Sequence, residues 1–395
     1  LVPKKGRDPA STRAWRPIAL LSCLGKGLER LLAKRLAHTA LSEGVVSDQH
    51  FGPVPGRSAT DLVGCVIHDV EKALDRRRAT TLVTVDVKGA FDGVLHNRLL
   101  RRMQTQGWPP QLLRWTASFL SGRTAQVRFP DGVTERIPLK CGVPQGSPAS
   151  PALFMLYLAE GLLKGKRRCR FGYADDIAVL GSGASKAESA AAAQNEAQEL
   201  AKWAEDNAIQ FDLDKTDVIQ FGGPPGEAPT PVSLGGRTFT PSPKVRWLGV
   251  FLDPKLSFRA HVDFWCAKAQ VVATHLRRLN PVQRGAAPGP LVRAVESCVV
   301  TVATHGAEVW YPGTSRPTSS RQSTKYRSVN GLLEEVDKVV RNAIRAALPV
   351  WRTTRISVLH RESGIPPASI LLEGIRLRHS ARLHRLDSLH PLRSR

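Results

Sequence analysis

Residues 171–180 read Phe-Gly-Tyr-Ala-Asp-Asp-Ile-Ala-Val-Leu, two adjacent acids between apolar flanks typical of β-strands. Side chains alternate between the faces of a strand, so Asp175 and Asp176 reach a common ion only where the chain bends, and the small Ala174 fits the tip of such a hairpin. Ionised carboxylates are oxygen ligands that suit Mg²⁺. An isolated Asp-Asp pair is equally typical of a solvated turn or a helix cap, so its interpretation depends on the rest of the chain.

Another acid ends a predicted buried strand. Residues 81–87 read Thr-Leu-Val-Thr-Val-Asp-Val, a β-branched and apolar run. Burying an unpaired carboxylate is costly, so Asp86 is expected either to pair with a cation or to lie at an exposed strand end. Both arrangements suit a metal site.

Length and charge narrow the class of protein. The 395 residues, 42% of them hydrophobic, can form a large core and suggest two or three domains. The chain carries 57 Lys and Arg against 34 Asp and Glu, a net charge of +23, which favours a polyanionic partner. An anionic membrane or a ribosome-type structural role would also fit the charge, but neither requires the acids described above.

Other features bear on the cellular setting. No apolar run reaches the roughly 18 residues of a spanning helix. The six cysteines form no Cys-x-x-Cys pair, so neither a zinc cluster nor a disulfide framework is predicted, and a reducing compartment is favoured. The chain begins at Leu1 without a signal peptide and is expected to be a piece of a longer polyprotein.

The third motif lies between the two groups of acids. Residues 141–151 read Cys-Gly-Val-Pro-Gln-Gly-Ser-Pro-Ala-Ser-Pro. The strand ending at Asp86 with Phe91 and Asp92 after it, then this loop, then the Asp-Asp hairpin resemble reverse transcriptases in content and order. The greatest similarity is to the polymerase of non-LTR (LINE-type) retrotransposons, and it extends over nearly the whole chain.

The resemblance implies an α+β fold of the right-hand polymerase type. Fingers are expected over 1–80 and a palm over 81–222, with an antiparallel sheet backed by helices; parts of 107–140 are assigned either to the palm or to the fingers. A linker and primer-grip hairpin would follow over 223–257. A basic, helical thumb and C-terminal region would occupy 258–395.

The implied function is RNA-directed DNA polymerase activity that copies retrotransposon RNA into DNA. Asp86, Asp175 and Asp176 are the expected catalytic metal ligands, and the Val87 carbonyl would complete a shell around two Mg²⁺ ions, with Mn²⁺ as the alternative metal. The implied partners are an RNA template, a DNA primer or target and a dNTP. A membrane is not among the implied partners. The resemblance also implies an intracellular, nuclear location.

Lys215 resembles the lysine of the family's fourth motif. It is expected to act as a general acid near the leaving pyrophosphate, with the neighbouring Asp212, Asp214 and Asp217 retaining its proton. A plain surface ion pair is the alternative.

Basic residues of the expected fingers are candidates for binding substrate. The resemblance places Arg16 and Lys26 where they would neutralise the incoming triphosphate, although a solvated helix face would also explain Lys26. Arg57 is the candidate for a backbone-phosphate contact, with an ordinary surface arginine as the alternative. A basic N-terminal loop, residues 1–14, is also expected to contact phosphate.

The remaining candidates surround the nascent base pair. Phe91 is expected beneath the sugar of the nucleotide, where a ring would clash with a ribose 2′-hydroxyl; a core position is the alternative. Gln145 would lie against the base pair. Gly142 and Gly146 would permit close approach by nucleic-acid backbone, and Ser147 is expected to cap a helix that starts at Pro148.

One departure from the family pattern leaves two other functions open. Pro53-Val54 stands where the family usually carries Phe-Arg. A catalytically inactive copy that only binds RNA therefore remains an alternative, as does an RNA-templated RNA polymerase, which shares the palm carboxylates.

Periodicity predicts the elements around these motifs. A hairpin is expected over 124–139 and a single strand over 245–252, and 222–231 and 314–328 are expected to be flexible. Helices are predicted over 19–41, 58–78, 93–106, 111–120, 148–163, 185–207, 258–279, 290–304, 332–348 and 368–386. Arginines of the last four helices, Arg382 among them, are expected to contact duplex backbone.

Overall fold

The structure is a computed structural model that describes all residues except 4, 5, 7, 9, 12, 13, 130, 131, 167, 281–284 and 314–328. The predicted basic loop 1–14 lies partly outside the described residues, and the predicted flexible stretch 314–328 lies wholly outside them. Up to residue 183 the elements are β1 (Val2–Pro3), β2 (Trp15–Arg16), α1 (Cys23–Ser42), β3 (His50–Gly52), α2 (Ala59–Asp75), β4 (Ala79–Asp86), α3 (His96–Thr105), α4 (Pro110–Leu120), β5 (Thr124–Ala125), β6 (Arg128–Phe129), β7 (Gly132–Val133), β8 (Ile137–Pro138), α5 (Ser150–Leu163), β9 (Arg170–Tyr173) and β10 (Asp176–Gly183).

The second half of the chain is mainly helical. Its elements are α6 (Lys186–Asp206), a 3₁₀ turn (Leu213–Lys215), β11 (Asp217–Phe221), β12 (Val232–Leu234), β13 (Arg237–Phe239), β14 (Val245–Trp247), β15 (Val250–Leu252), α7 (Arg259–Arg278), α8 (Pro288–Ala294), a π-helical stretch (Val295–Val300), α9 (Thr301–Ala303), α10 (Ala307–Trp310), α11 (Asn330–Ala347), α12 (Ile356–Ser363) and α13 (Ala368–Arg385). No helix of the described residues is long and apolar enough to cross a membrane.

A five-stranded sheet in the order β11-β4-β10-β9-β3 forms the centre of the molecule. All its pairs are antiparallel except β3 with β9. Both faces are covered, because Leu82 and Val83 are neighbours on β4 and yet both fully buried, in different core clusters. Helix α6 lies directly against β10, where a Cβ at Gly181 would overlap the backbone of Ser189 and Ala193.

The C-terminal helices share a core with one face of this sheet. One buried cluster contains Phe171 and Phe221 of the sheet, Val66 of α2, and Ile344 and Leu372 of α11 and α13. The region predicted as a thumb is therefore packed onto the palm through continuous apolar contact.

Ion pairs attach the end of the chain to α2. Arg382 donates to both carboxylate oxygens of Asp61, at 2.7 and 2.6 Å, and Arg395 pairs with Asp69 at 2.7 Å. The Asp61 side chain is completely buried. Arg382 therefore pairs within the protein, although it was predicted to be among the arginines that contact a duplex.

Several predicted bounds are wrong. The expected single strand over 245–252 is a hairpin, because Leu248 and Gly249 both adopt positive φ (47° and 83°) and reverse the chain between β14 and β15. The helix predicted from Pro148 begins at Ser150, and Ser147 does not cap it. The helix predicted over 290–304 includes six π-helical residues. Between β5 and β8 the predicted long hairpin pairs over only short stretches.

Other predictions are confirmed. Ser58 and Asp61 form the expected capping box at the start of α2, and Ser185 caps α6 through the Glu188 N–H. The segment 222–231, predicted to be a flexible linker, contains no helix or strand. Its Glu227 carboxylate accepts from the Lys186 N–H at 2.9 Å, and the flexibility of the segment stays a prediction.

Candidate active site

The register of the sheet brings together the three acids that the sequence singled out. Asp86 ends β4, and Asp176 begins β10 directly opposite it in the antiparallel pair. Directly opposite residues project to the same face of a sheet with Cβ atoms about 4.5–5.5 Å apart. Asp175 precedes Asp176 at the tip of the hairpin between β9 and β10. Carboxylates 89 and 90 positions from Asp86 in sequence thus meet at one strand edge.

The hairpin tip is held close to the end of β4. Ala174 adopts a left-handed φ of 55°, a conformation that costs a residue with a Cβ about 1–2 kcal/mol. The Val87 N–H donates to the Asp175 carbonyl oxygen at 3.1 Å, and the Asp212 N–H donates to the Asp86 carbonyl oxygen at 2.8 Å. The backbone of Val87 is therefore fixed beside the tip, where its predicted role as a ligand would place it.

Among the ion pairs of the described residues, only Asp86 of the three acids is in contact with a cation, Lys215. Burial, together with the charges of Asp175 and Asp86, raises the pKa of Asp176 to about 6, against a smaller opposing effect of Lys215. Burial also raises the pKa of Asp175, and the charge of Asp86 adds to this increase. A hydrogen bond from its own backbone and the charges of Lys215 and Arg16 act in the opposite direction and lower the pKa. A cation bound here would reverse these effects, because it favours the ionised form of each carboxylate.

Lys215 pairs with Asp86 as well as with its sequence neighbour Asp212. Its Nζ contacts the Asp86 carboxylate and lies 3.6 Å from Asp212 Oδ2. Asp214, one of the predicted partners, instead pairs with Arg237 at 2.7 Å. The sequence missed Asp86 as a partner because the two residues meet only once β4 and the 3₁₀ turn are adjacent.

The loop after residue 141 is fixed by contacts within the protein. The side-chain amide of Gln145 donates to the Asp92 carboxylate at 3.0 and 3.1 Å. The backbone carbonyl oxygen of Gln145 accepts from the Ala19 N–H at 2.6 Å. Ser147 Oγ contacts Glu29 of α1, and both side chains are buried. The loop thus links Glu29 of α1 to Asp92, which follows the strand that ends at Asp86.

Both glycines of this loop face backbone of the chain itself. A Cβ at Gly146 would lie 2.5 Å from the Ala19 carbonyl oxygen, and one at Gly142 would lie 3.0 Å from that of Asp92. The sequence had assigned this close approach to nucleic acid. The contact of Gly146 with substrate stays a prediction.

The predicted basic substrate ligands are in different settings. Arg16, in β2, is exposed and close enough to Asp175 to lower its pKa, whereas Lys26 lies half-buried in the first turns of α1. Arg57 donates to the carbonyl oxygens of Asp48 (2.6 Å), His50 (2.9 Å) and Leu389 (3.1 Å). Its guanidinium is therefore engaged in holding the fold, and its phosphate contact stays a prediction.

Phe91 is half-buried, and its ring centroid lies 5.7 Å from that of Phe154. Its partial exposure leaves one part of the side chain available to a ligand. Asp92 accepts a hydrogen bond from the Gln145 side chain and so helps to position the loop after residue 141.

The donor set suits a hard divalent cation. Three neighbouring carboxylates, of which only Asp86 contacts a cation, supply the oxygen ligands that Mg²⁺ or Mn²⁺ would take. In the described part of the chain, however, no three metal-binding side chains already converge on one point, and Lys215 contacts Asp86. The side chains of Asp86 and Lys215 would have to separate for a cation to bind Asp86.

Sequence reasoning missed two buried charged groups near the site. Glu29 contacts Ser147 of the loop after residue 141, and Arg170, at the start of β9, pairs with Glu196 at 3.1 Å while both are buried. A charged residue at an apolar position of a helix or strand was the available signal.

Comparison with known proteins bears on this arrangement. The family described as reverse transcriptase (RNA-dependent DNA polymerase) matches residues 2–252, which contain all three acids and the loop after residue 141. The chain belongs to the reverse transcriptase family. Membership confirms the resemblance to reverse transcriptases found in the sequence. It also confirms the predicted α+β fold of the right-hand polymerase type for this reverse transcriptase region.

Relatives of this reverse transcriptase region come from mobile elements. It is 30% identical over 274 residues to the RNA-directed DNA polymerase from mobile element jockey of Drosophila melanogaster, covering 66% of this chain and 29% of that protein. It is 27% identical to the probable RNA-directed DNA polymerase from transposon BS of the same fly, covering 78% and 35%. The chain thus spans about a third of the length of these relatives.

Among solved structures, telomerase from Candida tropicalis in complex with a fragment of telomeric RNA is similar at 11% identity. The TM-score is 0.44, over 91% of this chain and 51% of that chain.

Proposed function

We propose that this chain is an RNA-directed DNA polymerase that copies retrotransposon RNA into DNA by two-metal nucleotidyl transfer. The observation that carries the proposal is the register that sets Asp86 opposite Asp176 and beside Asp175. Support comes from the family and from relatives whose names describe RNA-directed DNA polymerases of mobile elements.

The reaction needs charge neutralisation more than covalent catalysis. The 3′-oxygen of a primer forms a bond to the α-phosphorus of a dNTP, the bond from that phosphorus to the bridging oxygen breaks, and pyrophosphate leaves with the electron pair. Two Mg²⁺ ions, when bound, would supply Lewis-acid stabilisation of the attacking and leaving oxygens. Asp86, Asp175 and Asp176, with the Val87 carbonyl, are the proposed groups that hold them.

Lys215 has two roles in this proposal. Its ammonium balances Asp86 before the metal binds, as their contact indicates. Once the Asp86 carboxylate is engaged by a metal, the ammonium would be released toward the leaving pyrophosphate, to which it would donate a proton. Arg16 and Lys26 would neutralise the triphosphate from the side of α1.

Phe91 and Gln145 are proposed to shape the nucleotide site. The exposed part of the Phe91 ring would lie beneath the sugar and exclude a 2′-hydroxyl. Gln145, held by Asp92, would present the loop to the nascent base pair. The proposed ligands are accordingly dNTP, an RNA template and a DNA primer or target, and a nuclear site of action follows from the resemblance.

The inactive alternative rests on Pro53-Val54. Val54 is buried, 5% exposed, in the core cluster that contains Val85 and Ile177. An apolar residue is thus accommodated at this position by packing, and the departure by itself leaves the acids in place.

The test is incorporation of labelled dNTP on a poly-rA template with an oligo-dT primer and Mg²⁺. Wild type is expected to extend the primer, Asp175→Asn to lose at least about a thousandfold in rate, and the exposed Asp214→Asn to retain activity. Absence of extension by wild type with intact RNA binding would favour the inactive copy. Preferential use of NTPs would favour an RNA polymerase.

A further inference from the structure

A basic cavity lies at the opposite end of the strands that carry the acids. Its volume is about 760 Å³, and Thr80 and Ser182, paired with each other near one end of β4 and β10, line it. Thr80 precedes Asp86 by six positions, which places the cavity about 20 Å from the acids. The polymerase site and this cavity therefore occupy different surfaces of the same sheet.

Cations from separate parts of the chain converge on this cavity. They come from the end of α2, the turn after it and the loop before β9. The cationic lining residues are Lys72, Arg76, Arg77, Arg78, Lys166 and Arg168.

The acids of the lining offset only part of this charge. Asp69 pairs with Arg395 at 2.7 Å, an arginine outside the lining. Glu196 pairs with Arg170 at 3.1 Å and also lies 3.7 Å from the Nζ of Lys166, which is a lining cation. The exposed Lys72, Arg76 and Arg77 have no carboxylate within ion-pairing distance in the part of the chain that the structure describes.

The backbone is strained where it presents two of these arginines. Arg77 and Arg168 adopt left-handed φ values of 56° and 62°. Arg77 follows the end of α2, where its N–H donates to the Leu74 carbonyl and that of Arg78 donates to the Ala73 carbonyl. Glycine is the usual residue in this motif, and an arginine costs about 1 kcal/mol more. The helix dipole attracts cations to a helix C-terminus, which explains why basic residues lie there. It does not explain why an arginine occupies the position with left-handed φ.

A buried hydroxyl group points to a ligand independently of the charge. Thr80 is 1% exposed, and its Oγ1 has no hydrogen-bond partner among the described residues. A buried polar group normally has a partner, so a ligand oxygen or a water reaching into the cavity would complete this one.

We propose that this cavity binds the phosphodiester backbone of a second RNA segment, away from the polymerase site. Phosphate oxygens would accept from Arg76, Arg77 and Lys72, and one would reach Thr80 Oγ1. Cations on walls around a concave site fit a strand that enters it, whereas an anionic membrane is flat. Such a contact would hold RNA on the protein while the acids act elsewhere.

The test compares two variants that each remove three positive charges. Lys72→Ala/Arg76→Ala/Arg77→Ala removes three of the cations that line the cavity, and Arg101→Ala/Arg114→Ala/Lys202→Ala removes three exposed cations elsewhere. Binding of a fluorescent 20-nucleotide single-stranded RNA is measured by anisotropy across salt concentrations, and circular dichroism verifies folding. A DNA strand of equal length and vesicles containing phosphatidylserine are run in parallel.

The cavity variant is expected to bind RNA about tenfold more weakly than the control variant, with a salt slope shallower by about 2. Hydroxyl-radical footprinting of wild type is expected to show RNA protecting residues 72–80. Equal affinity and slope for the two variants, or no protection of residues 72–80, would overturn the proposal. Tighter binding to DNA than to RNA would overturn the choice of RNA, and binding to vesicles without binding to RNA would overturn the nucleic-acid assignment.

Discussion

Arg382→Ala tests whether the end of the chain serves the fold or the duplex. The guanidinium donates to both oxygens of Asp61 and to the Gly56 carbonyl at 2.8 Å. Burial raises the pKa of Asp61, but hydrogen bonds from Arg382, His390 and Ser58 outweigh it and hold the pKa well below its usual range. Removing Arg382 leaves a completely buried carboxylate short of its main partner.

The size of the stability loss follows from how deeply each partner of the Arg382–Asp61 ion pair is buried. Breaking a buried ion pair costs about 3–5 kcal/mol. Because the Arg382 side chain is 39% exposed, water screens the pair, and we expect a loss of about 2 kcal/mol in the free energy of unfolding. Arg382→Lys, which cannot form the bidentate contact, should lose about half as much.

Denaturant unfolding followed by tryptophan fluorescence measures this loss. Arg385→Ala, an exposed arginine on the same helix, is the matched control and should change stability by less than about 0.5 kcal/mol. The lowered pKa of Asp61 makes its stabilisation complete above the ordinary value of about 3.9, and it is lost as pH falls toward the folded-state pKa. The difference between wild type and Arg382→Ala should therefore shrink below about pH 4. An unchanged stability with weakened RNA binding would refute the reasoning and restore the duplex role.

Three further predictions concern the active site. Gly146→Ala should destabilise the protein by about 1–3 kcal/mol and slow primer extension, because the new Cβ would collide with the Ala19 carbonyl oxygen. The control is Gly226→Ala, where φ is also positive but no atom lies within 4 Å of the new Cβ; it should cost about 1 kcal/mol and leave extension unchanged. Phe91→Ala should raise incorporation of ribonucleotides about tenfold relative to dNTP, measured by primer extension, and an unchanged ratio would exclude its steric role. The pKa of Asp176 is raised to about 6, so its contribution to stability is complete below about pH 4 and is lost as pH rises through 6. Without divalent ions, Asp176→Asn should therefore stabilise the protein at pH 7 by about 1–3 kcal/mol, measured in thermal melts. An equal dependence of stability on pH in both proteins would contradict this.

The sequence predicted the acids better than their surroundings, for a physical reason. Strand alternation and a tight hairpin are local properties, so Asp175 and Asp176 could be placed at a tip and Asp86 at a strand end. The partners of Lys215 and Arg382 lie 129 and 321 positions away, and only tertiary packing creates those pairs.

Some local predictions were wrong where backbone conformation overrode composition. The apolar run at 245–252 has the composition of one strand, and the positive φ values of Leu248 and Gly249 turn it into a hairpin. The glycines of the loop after residue 141 signalled close approach, but not that Ala19 and Asp92 supply the approaching backbone.

The most direct test of a shared cation site is Mn²⁺ binding followed by electron paramagnetic resonance on wild type, Asp86→Asn, Asp175→Asn and the control Asp214→Asn. Wild type and Asp214→Asn should bind Mn²⁺, and the other two should bind it at least about tenfold more weakly. Equal binding by all four proteins would contradict the claim that acids from distant parts of the chain hold one set of metal ions.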